Sequence, residues 1–335
     1  MGRNFLIVAV LVPLVCFLLV KFQDGDYTLL IYEKLGQDPA IALRGKVVWI
    51  TGASSGIGEY LAYELAKYGC KLILSARRTA ELERVKENCA AIATGFDSKF
   101  NKDQDILVLP LDLTKFSTHE ELTQDVLKHF GKVDILVNNG GRGQRSLMKK
   151  TPLEVERALL DLNTVGTISL TKAVLPHMIA RHDGQIVVVS SVLGKYGIPY
   201  HSTYCASKHA LQGYFDSTRI ELAEHNIHVQ TVIPGPIKSN IARYAFTDVI
   251  NVEFKDSPKF SDKIINMPTE RCAKLMAVGM ANKLDEIWIS ENPVLLKVYT
   301  NQYFPNLFRW MSKTFMMKIM TDVLMNEKTS SETNQ

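Results

Sequence analysis

Residues 46–58 read KVVWITGASSGIG, and this stretch decides the fold. The run over 46–51 is almost wholly apolar, as expected of a strand buried on both faces of a sheet. Glycines let the following turn bend tightly, and the N-terminus of the next helix supplies free N–H donors and a positive dipole. The stretch therefore predicts a site for a nucleotide pyrophosphate. The residues of this turn that we expect to contact the pyrophosphate are Gly52, Ser54, Ser55, Gly56, Ile57 and Gly58.

Short apolar runs alternate with helix-length segments along most of the remaining chain. We predict further strands at 71–75, 105–110, 133–137, 185–190, 228–233 and 286–290. Such alternation is typical of a parallel sheet with helices on both faces, and right-handed crossovers make that sheet doubly wound. The sequence thus predicts an α/β fold of the Rossmann type with about seven strands. Ligands of such folds bind at the carboxyl ends of the strands.

The end of the second predicted strand indicates which dinucleotide binds. An acidic residue there would bond the ribose 2′-hydroxyl of NAD, but residues 75–78 read SARR. Arginine binds phosphate through a planar, permanently charged fork, so the pair favours NADP(H). We expect Arg77 to be the main phosphate ligand and Arg78 to face water. The alternative is that both are solvated charges at a helix start, although cations there oppose the helix dipole.

Residues 204–208 read YCASK and place Tyr204 and Lys208 one helical turn apart. An ammonium group at this spacing is expected to lower the pKa of the phenol, which can then exchange a proton with a carbonyl oxygen. Ser191 ends a predicted strand 13 residues before Tyr204, where its hydroxyl can bond a substrate oxygen. The alternative for Ser191 is a helix or turn cap. Together the three residues predict a site that transfers hydride and a proton.

The glycine turn, the strand-end serine and the YCASK segment together resemble the short-chain dehydrogenase/reductase family, over about residues 44–292. That resemblance implies that Asn163 holds a relay water and that Lys208 bonds the nicotinamide ribose. Residues 138–141 read NNGG where the family has NNAG, so Gly140 replaces an alanine. Further cofactor contacts that the resemblance implies are Asp112, Leu113, Asn139, Gly140, Tyr204, Lys208, Pro234, Gly235, Ile237 and Ser239.

Residues 5–20, FLIVAVLVPLVCFLLV, form an uncharged apolar run near the N-terminus. Such a run approaches the ~17–20 residues that a spanning helix needs, so we predict a membrane anchor over 1–22. A cleaved secretory signal is the alternative, but no small-residue cleavage site follows the run. Because positive charge is balanced on its two sides, the sequence does not indicate the orientation of the anchor.

The predicted anchor and the predicted strands divide the rest of the chain into further segments. We predict a linker over 23–44, the catalytic domain over 45–292 and a disordered tail over 326–335. The irregular, proline-containing stretch 236–268 is either a binding loop or a surface excursion. Residues 293–325 are rich in aromatic residues, methionine and lysine, and we predict a substrate lid or a membrane-proximal extension there. Ordinary packing or a subunit interface is the alternative.

Composition excludes several other classes. The net charge is only +4 and no basic stripe occurs, so nucleic-acid binding is not expected. The five cysteines have no zinc-like spacing, and we predict buried, reduced thiols and no metal site.

Several stretches resemble a membrane-bound group within the family. That resemblance implies an enzyme of the endoplasmic reticulum membrane, which uses NADPH to reduce steroids, retinoids and aromatic carbonyl xenobiotics. It also implies a homo-oligomer. Two rival hypotheses remain, a catalytically silent NADP-binding scaffold and an NAD-linked alcohol dehydrogenase of the same fold.

Overall fold

The computed structural model describes residues 23–96, 100–249, 252, 254 and 267–318. Within these residues seven parallel strands form one sheet in the order β3-β2-β1-β4-β5-β6-β7. The predicted doubly wound sheet and all seven predicted strands are confirmed. The strands are β1 Val47–Thr51, β2 Lys71–Ser75, β3 Ile106–Val108, β4 Ile135–Asn138, β5 Gly184–Val189, β6 Ile227–Pro234 and β7 Glu286–Ile289.

Helices cover both faces of this sheet, as the alternation of the sequence predicts. The α-helices are α1 Tyr27–Leu35, α2 Pro39–Ala42, α3 Gly56–Lys67, α4 Thr79–Thr94, α5 Lys102–Asp105, α6 His119–Phe130, α7 Leu153–Leu160, α8 Gly166–Arg181, α9 Ser202–Leu222, α10 Thr269–Ala281, α11 Val294–Tyr303 and α12 Pro305–Met311. Single π-helical turns occupy Asp161–Val165 and Ser312–Met316.

Strand β1 shows how the two halves of the core are divided. Its side chains alternate between the faces of the sheet, as they must in an extended chain. Val48 and Ile50 pack into the layer formed by α3, α4 and α10. Val47 and Trp49 pack into the opposite layer, formed by α6, α8 and α9. A strand buried on both faces is therefore apolar throughout, which is why residues 46–51 show no polar alternation.

The segment predicted as a linker, 23–44, contains two helices and packs on the sheet edge. Asp26 caps α1 by accepting from the N–H of Leu29 at 2.9 Å, and its other carboxylate oxygen accepts from the N–H of Trp288 at 2.7 Å. Leu29 is fully buried. Arg271 of α10 forms an ion pair with Asp24 at 2.6 Å. Contacts of this kind join residues more than 200 positions apart in sequence and leave no local pattern, so the sequence alone does not indicate that this segment docks.

The predicted membrane anchor over 1–22 lies outside the described residues, and so does the predicted tail over 326–335. Across the described ranges, we find no helix with the length and apolar character required to cross a bilayer.

The C-terminal extension is described as far as residue 318. Helix α12 packs through Phe308, which is buried against Tyr196 with ring centres 5.1 Å apart. Val192 and Val298 belong to the same apolar cluster. The extension thus contacts the segment that directly follows Ser191 at the end of β5.

Candidate active site

The glycine-rich turn lies at the carboxyl end of β1, where the strand order reverses between β1 and β4 and ligands of such sheets bind. Gly52 and Gly56 have φ angles of +67° and +60°, which residues with a side chain rarely adopt. A Cβ atom on Gly52 would come within 2.9 Å of the amide nitrogen of Asn139. The turn therefore requires glycine because of its backbone conformation and because the neighbouring loop packs closely against it.

Thr51 and Asn139 fasten this turn to the loop after β4. The Thr51 hydroxyl accepts from the backbone N–H groups of Asn139 at 3.0 Å and Gly140 at 2.9 Å. The Asn139 side chain in turn donates to the Thr51 carbonyl at 3.0 Å. A Cβ on Gly140 would lie 2.6 Å from a methyl carbon of Leu113. An alanine at this position would therefore require the Leu113 side chain to shift.

Arg78, rather than Arg77, reaches the glycine-rich turn. Its guanidinium donates to the hydroxyls of Ser54 at 3.0 Å and Ser55 at 2.9 Å, and it lies 5.2 Å from the ring centre of Tyr244. Arg78 is exposed, as expected, yet it also bonds the turn, a contact that the sequence does not indicate. Arg77 is exposed and acts at a distance on Asp112.

Asp112 follows β3 and is a half-buried carboxylate. Burial by itself raises the pKa of Asp112, but hydrogen bonds from the N–H and hydroxyl of Thr114 outweigh it, at 3.0 and 2.8 Å. With the positive charge of Arg77, these bonds hold the pKa of Asp112 below its usual value. The carboxylate is therefore ionised at neutral pH, with its hydrogen-bonding partners in place.

The donors at the end of β1 fit a dinucleotide phosphate. Helix α3 begins at Gly56, and its N-cap residue, Ser55, makes no side-chain capping bond. The first N–H groups of α3 are thus left for a ligand, and the helix dipole favours an anion there. The guanidinium of Arg78 adds a fixed positive charge beside the same serines. These residues would hold the phosphates of a dinucleotide.

The later cofactor residues of the sequence prediction line the carboxyl end of β6. Pro234 ends β6, and Gly235 packs against Ser290 so closely that a side chain at this position would clash. Ile237 is buried and pairs with Met267 through a parallel bridge. The Cβ of Ser239 lies 3.0 Å from the position of a Cβ on Gly56. This segment therefore meets the glycine-rich turn across the site.

Helix α9 carries Tyr204 and Lys208 to the carboxyl end of β5. Both side chains are almost fully buried. Lys208 donates from its ammonium group to the carbonyl of Val189 at 2.9 Å and lies 5.7 Å from the ring centre of Tyr204. Ser191 is a side-chain hydrogen-bond partner of Tyr204 and also accepts from the N–H of Leu193 at 3.1 Å. The structure thus brings Ser191, Tyr204 and Lys208 together, and Ser191 is also a helix cap.

Burial controls the protonation of this pair. It raises the pKa of Tyr204 to about 12, although the hydrogen bond with Ser191 acts in the opposite direction. Burial also lowers the pKa of Lys208 to about 8. The expected lowering of the Tyr204 pKa by Lys208 is therefore wrong for this structure. A low-polarity environment disfavours the phenolate and the ammonium alike.

Asn163 lies in the π-helical turn between α7 and α8 and is fully buried. Its side chain donates to the Arg142 carbonyl at 2.9 Å and to the Ser207 hydroxyl at 3.1 Å, and accepts from the Arg142 N–H at 2.9 Å. A Cβ on Gly141 would lie 2.9 Å from Asn163 Oδ1 and 3.8 Å from Lys208 Nζ. All four predicted catalytic residues therefore meet around the start of α9. π-Helical turns are frequent at functional sites.

Sequence reasoning missed Gln144, which supports the start of α9. Its side-chain oxygen accepts from the backbone N–H groups of Thr203 at 2.9 Å and Tyr204 at 3.3 Å. Helix α9 has no side-chain cap from the residue before it, His201, so Gln144 supplies one from 60 residues away. The loop that holds Gln144 also bonds the irregular stretch, since Arg145 N–H donates to the Phe246 carbonyl at 2.8 Å. No local signal in the sequence identifies this cap.

Metal chemistry has no support in the described ranges. They hold no group of three or more His, Cys, Asp or Glu side chains placed to bind an ion. Four of the five cysteines are described, and Cys70, Cys89, Cys205 and Cys272 are buried free thiols, as predicted. Cys16 lies outside the described residues.

Comparison with known proteins agrees with this geometry. The family model for short chain dehydrogenase matches residues 46–249. "Dehydrogenase/reductase SDR family member 7" of Homo sapiens is 50% identical over 91% of this chain and 87% of the relative. The protein of the same name in Mus musculus is 49% identical over 91% of this chain and 88% of the relative.

Two solved structures share the fold. A short-chain dehydrogenase/reductase from Burkholderia phymatum in complex with NAD has a TM-score of 0.67 and 21% identity, and the match covers 80% of this chain and 96% of that one. A metagenomic short-chain oxidoreductase in complex with NADP has a TM-score of 0.59 and 25% identity, covering 75% and 99%. From its matched family model, its relatives and its fold, the chain belongs to the short-chain dehydrogenase/reductase family.

Proposed function

We propose that this oxidoreductase uses NADPH to reduce the carbonyl group of apolar ketones and aldehydes to alcohols. The observation that carries the proposal is the hydrogen-bonded pair of Ser191 and Tyr204 with Lys208 buried beside them. Burial of three polar side chains at the ligand-binding edge of the sheet costs free energy of folding. Buried titratable groups with shifted pKa values are typical of functional sites.

The nicotinamide of the bound cofactor supplies the hydride. Ser191 and Tyr204 then donate hydrogen bonds to the carbonyl oxygen, where negative charge develops as the bond order falls. Tyr204 keeps its proton at neutral pH because burial raises its pKa to about 12, so it is ready to act as the acid. As the oxygen becomes an alkoxide it takes this proton. Lys208, close to the Tyr204 ring, stabilises the phenolate that remains.

The residues at the end of β2 support our proposal that the protein prefers NADPH to NADH. Arg78 lies on Ser54 and Ser55, Arg77 stands next to it, and no carboxylate occupies the position that would bind a 2′-hydroxyl. Guanidinium groups bind a 2′-phosphate in a bidentate, charge-assisted manner. We propose steroids, retinoids and aromatic carbonyl compounds as the substrate class. We also propose attachment to the endoplasmic reticulum membrane through residues 1–22.

The test is turnover by the full-length protein in detergent, with NADPH and NADH in parallel, against steroid ketones, retinal and an aromatic diketone. We expect oxidation of NADPH that depends on the carbonyl compound. Tyr204→Phe should lose at least roughly 10³-fold in kcat, because the proton donor is removed. Its affinity for NADPH should stay within about twofold, since the phenol does not bind the phosphates.

Tyr214→Phe is the matched control, because Tyr214 lies on the same helix ten residues later, away from Ser191, and should keep full activity. If Tyr204→Phe retained most of its turnover, the proposed proton donor would be wrong. Tight NADPH binding without turnover of any carbonyl compound would favour the silent scaffold, and a preference for NADH would favour the NAD-linked dehydrogenase.

A further inference from the structure

The C-terminal helices present an apolar surface to solvent. Leu307, Met311 and Phe315 recur every four residues on one side of α12 and the turn that follows. Trp310 is 61% exposed, although tryptophan is usually largely buried. We call this region the C-terminal surface. Its exposed apolar residues are Leu296, Tyr303, Phe304, Leu307, Trp310, Met311, Phe315 and Met317.

The charge on this surface has one sign. Residues 292–318 contain no Asp or Glu, and four basic residues are interspersed among the apolar ones. The basic residues are Lys297, Arg309, Lys313 and Lys318, all of them exposed. Within the described ranges no carboxylate forms an ion pair with any of the four. Helices with aromatic and aliphatic residues on one side and Lys or Arg at the margins are typical of the interface of an anionic membrane.

Gln23, the first described residue, lies beside the C-terminal surface. Gln23 donates to the Tyr299 hydroxyl of α11 at 3.4 Å. In the sequence the apolar run ends at Val20, three residues before Gln23, and three residues span at most about 11 Å. The docked helix α1 holds this point in place, because Arg271 bonds both Asp24 and Glu33. The membrane attachment proposed above would therefore bring lipid close to α11.

We propose that residues 294–318 lie on the surface of an anionic lipid bilayer, next to the point where the N-terminal segment enters it. A second copy of the chain fits the same surface less well. In a two-fold dimer the patch would face itself, and four basic side chains would meet four others with no carboxylate between them. Anionic lipid headgroups supply the missing counter-charge.

The consequence for the enzyme rests on the function proposed above. Phe308 and Val298 on the inner side of the same helices pack against Val192 and Tyr196, immediately after Ser191. The C-terminal surface and the catalytic serine are thus on the same side of the molecule. An apolar carbonyl compound dissolved in the bilayer would meet the site there.

Trp310 makes the proposal testable without an activity assay. The apolar N-terminal segment contains no tryptophan. Of the other two tryptophans, Trp49 is fully buried and Trp288 is half-buried, so the signal of Trp310 must be separated from theirs. The full-length protein is reconstituted in vesicles of phosphatidylcholine and phosphatidylserine, with or without brominated acyl chains. The emission of Trp310 is obtained as the difference between the wild type and Trp310→Phe. We expect brominated lipid to remove about half of this emission or more, because interfacial helices insert ~5–10 Å.

Ile220→Trp in the Trp310→Phe background is the matched control. Ile220 is 80% exposed near the C-terminal end of α9, whereas the site lies at the N-terminal end of this helix. Its replacement should be quenched by iodide in water and not by brominated lipid. In vesicles without phosphatidylserine, or with Lys297, Arg309 and Lys313 all changed to Gln, the quenching of Trp310 by brominated lipid should fall at least twofold.

Two outcomes would overturn the proposal. Quenching of Trp310 by iodide but not by brominated lipid would mean that the surface faces water. Protection of Trp310 from both quenchers would mean that protein, such as a second copy, covers it. Neither outcome bears on the reductase function, which depends on turnover.

Discussion

The proposed catalytic side of the site (Asn163, Tyr204 and Lys208) and its proposed cofactor-selecting side (Arg77 and Arg78) differ in how deeply their side chains are buried. Asn163, Tyr204 and Lys208 are at most 8% exposed, and each makes hydrogen bonds within the protein. Arg77 and Arg78 at the end of β2 are exposed. Burial fixes positions and shifts pKa values, whereas exposed charges act weakly until a ligand removes water from them. The positions and protonation of the buried residues are therefore set before a ligand binds, whereas the two exposed arginines would act strongly only once a ligand covers them.

The largest effect should come from the buried lysine. We expect Lys208→Met to lower kcat by roughly 10²-fold or more, because the phenolate left by proton transfer loses its nearby cation. Lys172→Met, a change of an exposed lysine on α8, should leave turnover unchanged. Equal kcat values in the two variants would show that the catalytic side does not depend on this charge.

The same variant tests the stability cost of burial. Between about pH 8 and 10.5, Lys208 is neutral in the folded protein and still protonated in the unfolded chain. The unfolded state then binds more protons, so the free energy of unfolding of the wild type should rise with pH in this window, by at most about 3 kcal/mol. Lys208→Met should lack this rise relative to Lys172→Met. Denaturant unfolding at pH 7.5 and 10 measures the difference, and parallel curves would contradict it.

On the cofactor-selecting side, Arg78→Ala should weaken NADPH binding about tenfold and leave NADH binding unchanged. The reason is that one charge-assisted contact to a 2′-phosphate is worth about 1.5 kcal/mol or more. Titration of cofactor fluorescence measures both affinities.

Arg77→Ala provides the comparison within the arginine pair. Because Arg78 and not Arg77 lies on Ser54 and Ser55, we expect the smaller loss from Arg77→Ala. A larger loss from Arg77→Ala would restore the interpretation based on the sequence alone.

The smallest effect should come from Gln144, a positioning residue. Gln144→Ala removes the acceptor for the N–H groups of Thr203 and Tyr204, and loss of a cap costs about 1 kcal/mol. We expect that decrease in the free energy of unfolding and a severalfold lower kcat, with NADPH affinity unchanged. Gln104→Ala, at an exposed position, should change neither. An unchanged kcat would mean that the start of α9 needs no support from Gln144.

Patterns that repeat locally were enough to predict the sheet. Apolar runs alternating with helical segments identified all seven strands, because strands buried on both faces must be apolar. The glycine-rich turn and the spacing of Ser191, Tyr204 and Lys208 likewise predicted which residues meet, since parallel strands end at one edge of the sheet.

The sequence by itself determined the fold class, the place of the site and the residue types within it, because each of these follows from short-range periodicity and spacing. Only the tertiary structure decided which arginine lies on the glycine-rich turn, that residues 23–44 dock on β7, and that Gln144 caps α9. Each of these contacts joins side chains that are distant along the chain, such as Arg271 and Asp24. The tertiary structure also decided the pKa of Tyr204, because burial is a property of everything packed around a group and not of its neighbours in sequence.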